Sequence, residues 1–146
     1  MIATVGAVSL TASTTKTVLG VKANAAFGLD LKKLRVGFGG TSGAPATVGL
    51  YSAPFTSNGT STSVTPNQVY GRTITHGMTA GQNYTADPNG TPTLIESWPL
   101  TPNGGLMFYD IPLGDTPDCA PNTGFLLMVN SPVDVSCWAS MWVERC

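Results

Sequence analysis

With 146 residues, 10% of them charged, and a formal net charge of −1, the chain has the length of one domain and an unusually neutral composition. That balance leaves no electrostatic footprint for nucleic acid or an anionic membrane surface, and no run approaches the ~20 apolar residues of a membrane span. Three cysteines without a Cys-x-x-Cys pair argue against a disulfide scaffold, and the single histidine, His76, argues against a zinc finger.

Polarity comes instead from 20 Thr, 11 Ser and 8 Asn. Threonine favours pleated, half-buried surfaces, and abundant Gly and Pro supply turns, so the composition leans towards β structure. In chain order, MIATVGAVSLTAS is strand-prone but precedes the main pattern, and residues 1–13 read as an extended N-terminal arm. The first charged residue of the chain is Lys16, so no positive n-region marks a signal peptide. Residues 14–146 read as a single body. A strand is expected at about 17–23. Residues 23–34, ANAAFGLDLKKL, could form a short helix broken by Gly28, but a turn leading into a strand is the preferred reading. In KLRVGF, Leu34, Val36 and Phe38 then share one face.

Further strands are expected at 46–52, 67–75 and 93–98. Between Arg35 and Arg72 there is no charged residue, which suits either a hydroxyl-rich solvated surface or a contact between subunits. Pro102-Asn103-Gly104-Gly105 reads as a hairpin turn, because Asn and Gly tolerate positive φ. Residues 105–111 follow as a strand in which Leu106, Phe108 and Asp110 alternate against Met107, Tyr109 and Ile111. Pro112 cannot donate to a ladder and ends that strand or places it at an edge. TGFLLMVN, apolar on both faces, reads as a central strand. In DVSCWASMWVERC, Val135, Cys137, Ala139, Met141 and Val143 fall on one face, with Ser136, Trp138, Ser140, Trp142 and Glu144 on the other. Two tryptophans on the nominally polar face imply that it too is covered, by the same chain or by a neighbour. Eight short strands with long connections predict an all-β fold, an antiparallel β-sandwich of jelly-roll-like form.

Catalytic constellations are sparse. His76 lies in the loop-like THGMTAGQNY, and no Gly-x-Ser-x-Gly elbow supplies a nucleophile. Glu96, Asp110, Asp115, Asp118, Asp134 and Glu144 could furnish a carboxylate pair, but none sits in a suggestive motif. Asp115 and Asp118 in GDTPD suit a backbone-bonding turn better than a calcium site. GFGGTSG has glycines but no following helix to make a phosphate loop. The aromatics Tyr51, Tyr70, Tyr84, Trp98, Tyr109, Trp138 and Trp142 could form a sugar-binding platform, and core packing or subunit contacts explain them equally well. Cys137 is expected to be buried and reduced, with Cys119 and Cys146 nearer the surface.

The order of segments carries a resemblance. TKTVLGVKANAAFGLDLKKLRVGFGG, then MTAGQNYTADPNGTPTLIESWPLTPNGG, then IPLGDTPDCAPNTGFLLMVNSPVDVSCWASMWVER resembles small virion structural proteins of tailed bacteriophages. It covers most of residues 15–145 through order and spacing; Cys137, Trp138 and the terminal Cys146 depart from it. The resemblance implies a capsid decoration (cement) or head auxiliary protein, a β-sandwich without enzymatic activity or cofactor. It implies as partners the major capsid protein and further copies of the chain, a homotrimer being expected, and a location on the capsid exterior after synthesis in the host cytoplasm. The candidate capsid or subunit contacts are Met1, Ile2, Val5, Val8 and Leu10 of the arm, Tyr51 and Phe55 of the charge-free segment, and Trp138 and Trp142. A carbohydrate- or receptor-binding module on the virion is the alternative.

Overall fold

The computed structural model describes residues 1–146 apart from Tyr70 and Arg72, and for Ile2, Thr4 and Val5 it describes the backbone alone. Its strands are β1 (Ile2–Leu10), β2 (Thr14–Lys22), β3 (Leu29–Gly39), β4 (Ala46–Ala53), β5 (Thr60–Val64), β6 (Thr79–Ala86), β7 (Thr93–Leu100), β8 (Leu106–Asp110), β9 (Asp118–Cys119), β10 (Gly124–Ser131) and β11 (Val135–Arg145). One sheet has the order β1-β11-β3-β8, with β9 also pairing β3, and the other the order β5-β6-β2-β10-β4-β7. Strand pairs are antiparallel throughout. The two sheets pack face to face as a β-sandwich, and no helix occurs among the described residues.

The core lies between the sheets. Leu19 and Val21 of β2, Phe125, Leu127 and Val129 of β10, and Val48 and Leu50 of β4 meet Leu31, Leu34 and Val36 of β3 and Cys137, Met141 and Val143 of β11. Each fully buried side chain of this size contributes roughly 1.5–3 kcal/mol relative to exposure. The alternation expected in β11 is present, with Cys137, Ala139, Met141 and Val143 buried. In β3 the inward set changes phase: Leu29 and Leu31, then Leu34, Val36 and Phe38. Trp142 lies opposite Lys33 and Val143 opposite Leu31, so Lys32 is the extra residue of a bulge that turns both apolar sets inward.

Three expectations require correction. Residues 2–10 are not a free arm. They form β1, paired along its length with β11, and Ala3, Val8 and Leu10 are buried in the core. Val5 lies opposite Ala139 and Val8 opposite Cys137, so Gly6 and Ala7 together face Trp138 in a bulge. That slip hides the strand's alternation in the sequence. Next, among the described residues of 67–75 no strand forms. The strands nearest this segment are β5 and β6, and the chain before β6 is braced by Asn24 Nδ2 donating to His76 O (3.3 Å) and Arg145 Nη1 donating to Thr75 O (3.1 Å). Tyr70 of that segment lies outside the described residues. Finally, the turn at Pro102–Gly105 does not make a hairpin. β7 pairs with β4 in one sheet and β8 with β3 in the other, so the turn carries the chain between sheets. Gly104 does adopt the positive φ expected of it, at 71°. Trp98 of β7 and Tyr109 of β8 close this corner, with ring centroids 5.4 Å apart.

Candidate functional site

The outer face of the β1-β11-β3-β8 sheet concentrates the side chains that the core does not use. Antiparallel register sets them in rows, because residues directly opposite share a face. Trp138, Gly37 and Leu106 form one row; Ser140, Arg35 and Phe108 the next; Trp142, Lys33 and Asp110 the third. Leu106, Phe108 and Trp138 remain 59%, 62% and 44% exposed, which makes this the largest grouping of uncovered apolar side chains on one sheet face among the described residues.

Glycines make the surface possible. A Cβ at Gly39 would stand 2.8 Å and 2.9 Å from ring atoms Cζ3 and Cη2 of Trp138, so the indole lies over bare backbone. At Gly37 a Cβ would crowd Leu106 Cδ1 at 3.3 Å. Any larger residue at Gly39 would lift the ring.

Charge on this face is mostly consumed internally. Lys33 Nζ lies 3.3 Å from Asp110 Oδ1, and Lys32 Nζ lies 3.0 Å from Asp30 Oδ2 and 3.5 Å from Glu144 Oε2. The hydrogen bond to Asp30 is the largest cause holding Lys32 above its ordinary pKa. Arg35 differs. Its guanidinium carbon sits 5.2 Å from the ring centroids of both Phe108 and Trp142, and among the described residues no carboxylate lies within 4.0 Å of it. Its Nε, like Trp142 Nε1, is buried without a hydrogen-bond acceptor. Cation–π contacts of this kind are worth about 0.5–1 kcal/mol each at exposed sites; they hold the guanidinium in place without neutralising it.

One concavity borders this face and another lies on the second sheet. The first, of about 780 Å³, lies where the loop before β6 meets β3 and β11; Lys33, Ile74, His76, Trp142, Glu144 and Arg145 are among its lining residues. His76 accepts a hydrogen bond from Met78 N–H at Nδ1 (3.1 Å), and burial pushes its pKa below the ordinary value. It braces the loop as a neutral ring. The other, of about 180 Å³, lies against the second sheet near Gly20, Phe55, Ser61 and Tyr84. Burial raises the Tyr84 pKa, with a hydrogen bond to Ser61 acting in the opposite sense.

The expected contact residues separate into distinct environments. Trp138 and Trp142 lie on the outer face just described. Val8 and Leu10 are each 3% exposed inside the sandwich's own core, so they are unavailable to another chain. Met1 is half-buried and packs against that core. Phe55 is buried with Ala53 and Leu126 on the outer side of the second sheet, with half-buried Tyr51 and Met128 packed beside it. The side chains of Ile2 and Val5 lie outside the described residues. Cys137 is fully buried and burial drives its pKa up to about 12; Cys146 is exposed. Cys119, expected nearer the surface, is buried beside the start of β3, opposite Leu29. Asp115 closes a turn through its N–H to Pro112 O, and no three metal-ligating side chains converge among the described residues.

Sequence reasoning did not single out Leu106, Phe108 or Arg35. A signal existed: Asp110 shares the parity of Leu106 and Phe108, and a carboxylate belongs on the solvent side. Compared with protein-family models, curated proteins and solved structures, the chain finds no match.

Proposed function

We propose that the chain is a virion structural protein that decorates and cements a phage capsid through contacts with the assembled lattice and with its own copies. The observation that carries this reading is the bare Leu106–Phe108–Trp138 surface on a hydrogen-bonded sheet. A contiguous apolar patch on a rigid face is the kind of surface that protein–protein contacts cover. The resemblance of the segment order to tailed-phage virion proteins supplies the capsid. Strand order adds support: with β5, β6 and β9 set aside, the sheets run β1-β11-β3-β8 and β2-β10-β4-β7. We read this as jelly-roll order, an architecture that recurs in viral capsid and lectin domains.

Cementing requires no catalyst. Many identical contacts with a closed shell, absent from free subunits, shift stability towards the shell by mass action. Purified protein is therefore expected to co-sediment with expanded capsids prepared without it, to raise their resistance to heat, and to bind unassembled capsid protein much more weakly. Equal affinity for free subunits and shells would defeat the cement role.

A second reading has its own observation. The Trp138 ring, exposed above Gly39, offers an aromatic face on which a sugar could stack. Tight binding on a glycan array, without capsid affinity, would promote a carbohydrate-binding module in place of the cement protein.

A further inference from the structure

We infer that the outer face of the β1-β11-β3-β8 sheet is the docking surface, and that its partner is a different protein presenting a carboxylate within an apolar patch, not a second copy packed on the same face. The inference rests on the lattice-binding reading above and names the surface and the chemistry of the partner.

Charge decides the identity of the occupant. Lys33 is closed on Asp110, and Lys32 on Asp30 and Glu144, which leaves Arg35 as the cation of this face without a carboxylate among the described residues. It stands at the centre of the patch, between Phe108 and Trp142 and in the row beside Trp138 and Leu106. Covering the patch removes the guanidinium from water, and a desolvated charge left unpaired is strongly destabilising. A two-fold axis through the patch would bring Arg35 against Arg35, since such an interface presents the same residues from both sides. That arrangement doubles the uncompensated charge. A partner carboxylate resolves it, because a guanidinium fork receives two carboxylate oxygens in parallel. Aromatic residues and arginine at the centre of a patch are also the types that dominate binding energy in protein interfaces.

The outer side of the other sheet makes no such demand. Its large apolar residue Leu126 is already buried by Ala53 and Phe55 with Tyr51 and Met128 beside them. Its exposed Leu94, on edge strand β7, therefore serves as a control.

The test measures co-sedimentation of wild-type protein and four variants with capsids prepared without the protein. Circular dichroism confirms folding, and sedimentation equilibrium reports self-association. Arg35→Glu is expected to weaken binding about 100-fold, by placing two carboxylates together. Arg35→Lys, which keeps the charge but loses the fork, should cost about tenfold. Phe108→Ala should cost at least about tenfold. Leu94→Ser should bind as wild type, and rising ionic strength should weaken wild type more than Arg35→Glu. Wild-type binding that survives Arg35→Glu and Phe108→Ala would overturn the docking face while leaving the cement role standing. Dissociation of a wild-type oligomer by Arg35→Glu would overturn it as well, by identifying the face as a self-contact. A wild-type protein that binds no capsid would overturn both readings together.

Discussion

The two outer faces of the sandwich solve the same problem in different ways. On the β5-β6-β2-β10-β4-β7 sheet, the segment leaving β4 folds back so that Ala53 and Phe55 bury Leu126, with Tyr51 and Met128 at the border. Tyr51 leans over Gly49 and Tyr84 over Gly20, each occupying space that a Cβ would fill. On the β1-β11-β3-β8 sheet, Trp138 leans over Gly39 in the same fashion, but among the described residues no segment returns to cover Leu106 and Phe108. Glycine thus gives both sheets a surface on which an aromatic ring can lie. Among the described residues, only one sheet receives a cover from its own chain. A face closed in this way contributes to the stability of the fold, whereas an open face contributes to stability only once something else covers it.

The largest expected effect concerns the open-faced sheet as a structural unit. Deleting Met1–Ser13 removes β1, with buried Ala3, Val8 and Leu10, and strips β11 of its outer partner. The truncated chain is expected not to fold, with loss of its β-type circular dichroism spectrum. A folded truncation would return β1 to the status of an accessory arm.

Next in size is the direct comparison of the two faces. Leu126→Ala, on the covered face, should cost about 2–5 kcal/mol in urea unfolding, as for other buried leucines. Phe108→Ala, on the open face, should stay within about 0.5 kcal/mol of wild type, as surface changes do. Similar losses at the two positions would show that the distinction between covered and open faces is wrong.

The effect that is smallest at neutral pH lies between the sheets. Burial raises the Cys137 thiol from 9.0 to about 12 in the folded protein, so the folded state holds this proton more tightly than the unfolded chain. The associated stability is fully present below pH 9 and declines as pH rises from there towards 12. Cys137→Ala should therefore flatten the alkaline loss of stability seen in pH-dependent unfolding. Thiol titration at neutral pH should label exposed Cys146 first and Cys137 last. An unchanged alkaline limb in Cys137→Ala would show that another group governs it.

Much of the architecture is legible in the sequence alone. Threonine-rich composition with frequent Gly and Pro, alternation in DVSCWASMWVERC, and the doubly apolar TGFLLMVN identify an antiparallel sandwich and two of its principal strands. These are local signals, because a strand's side-chain period of two is set by its own backbone. What the tertiary structure alone decided is which strands meet and which face stays bare. Val8 finds Cys137 at the far end of the chain, and the Gly6–Ala7 bulge shifts the inward parity midway along β1, so local alternation could not identify this strand as core. The Asn103-Gly104 turn has the chemistry of a hairpin, yet β7 and β8 belong to different sheets, because turn residues constrain the bend and not the partner. Leu106 and Phe108 carry the pattern of any half-buried strand. Their exposure follows from Met107 and Tyr109 packing inward against the core while no described residue covers the outer side. Period and propensity are set within a few residues, whereas burial depends on contacts between residues distant in the chain.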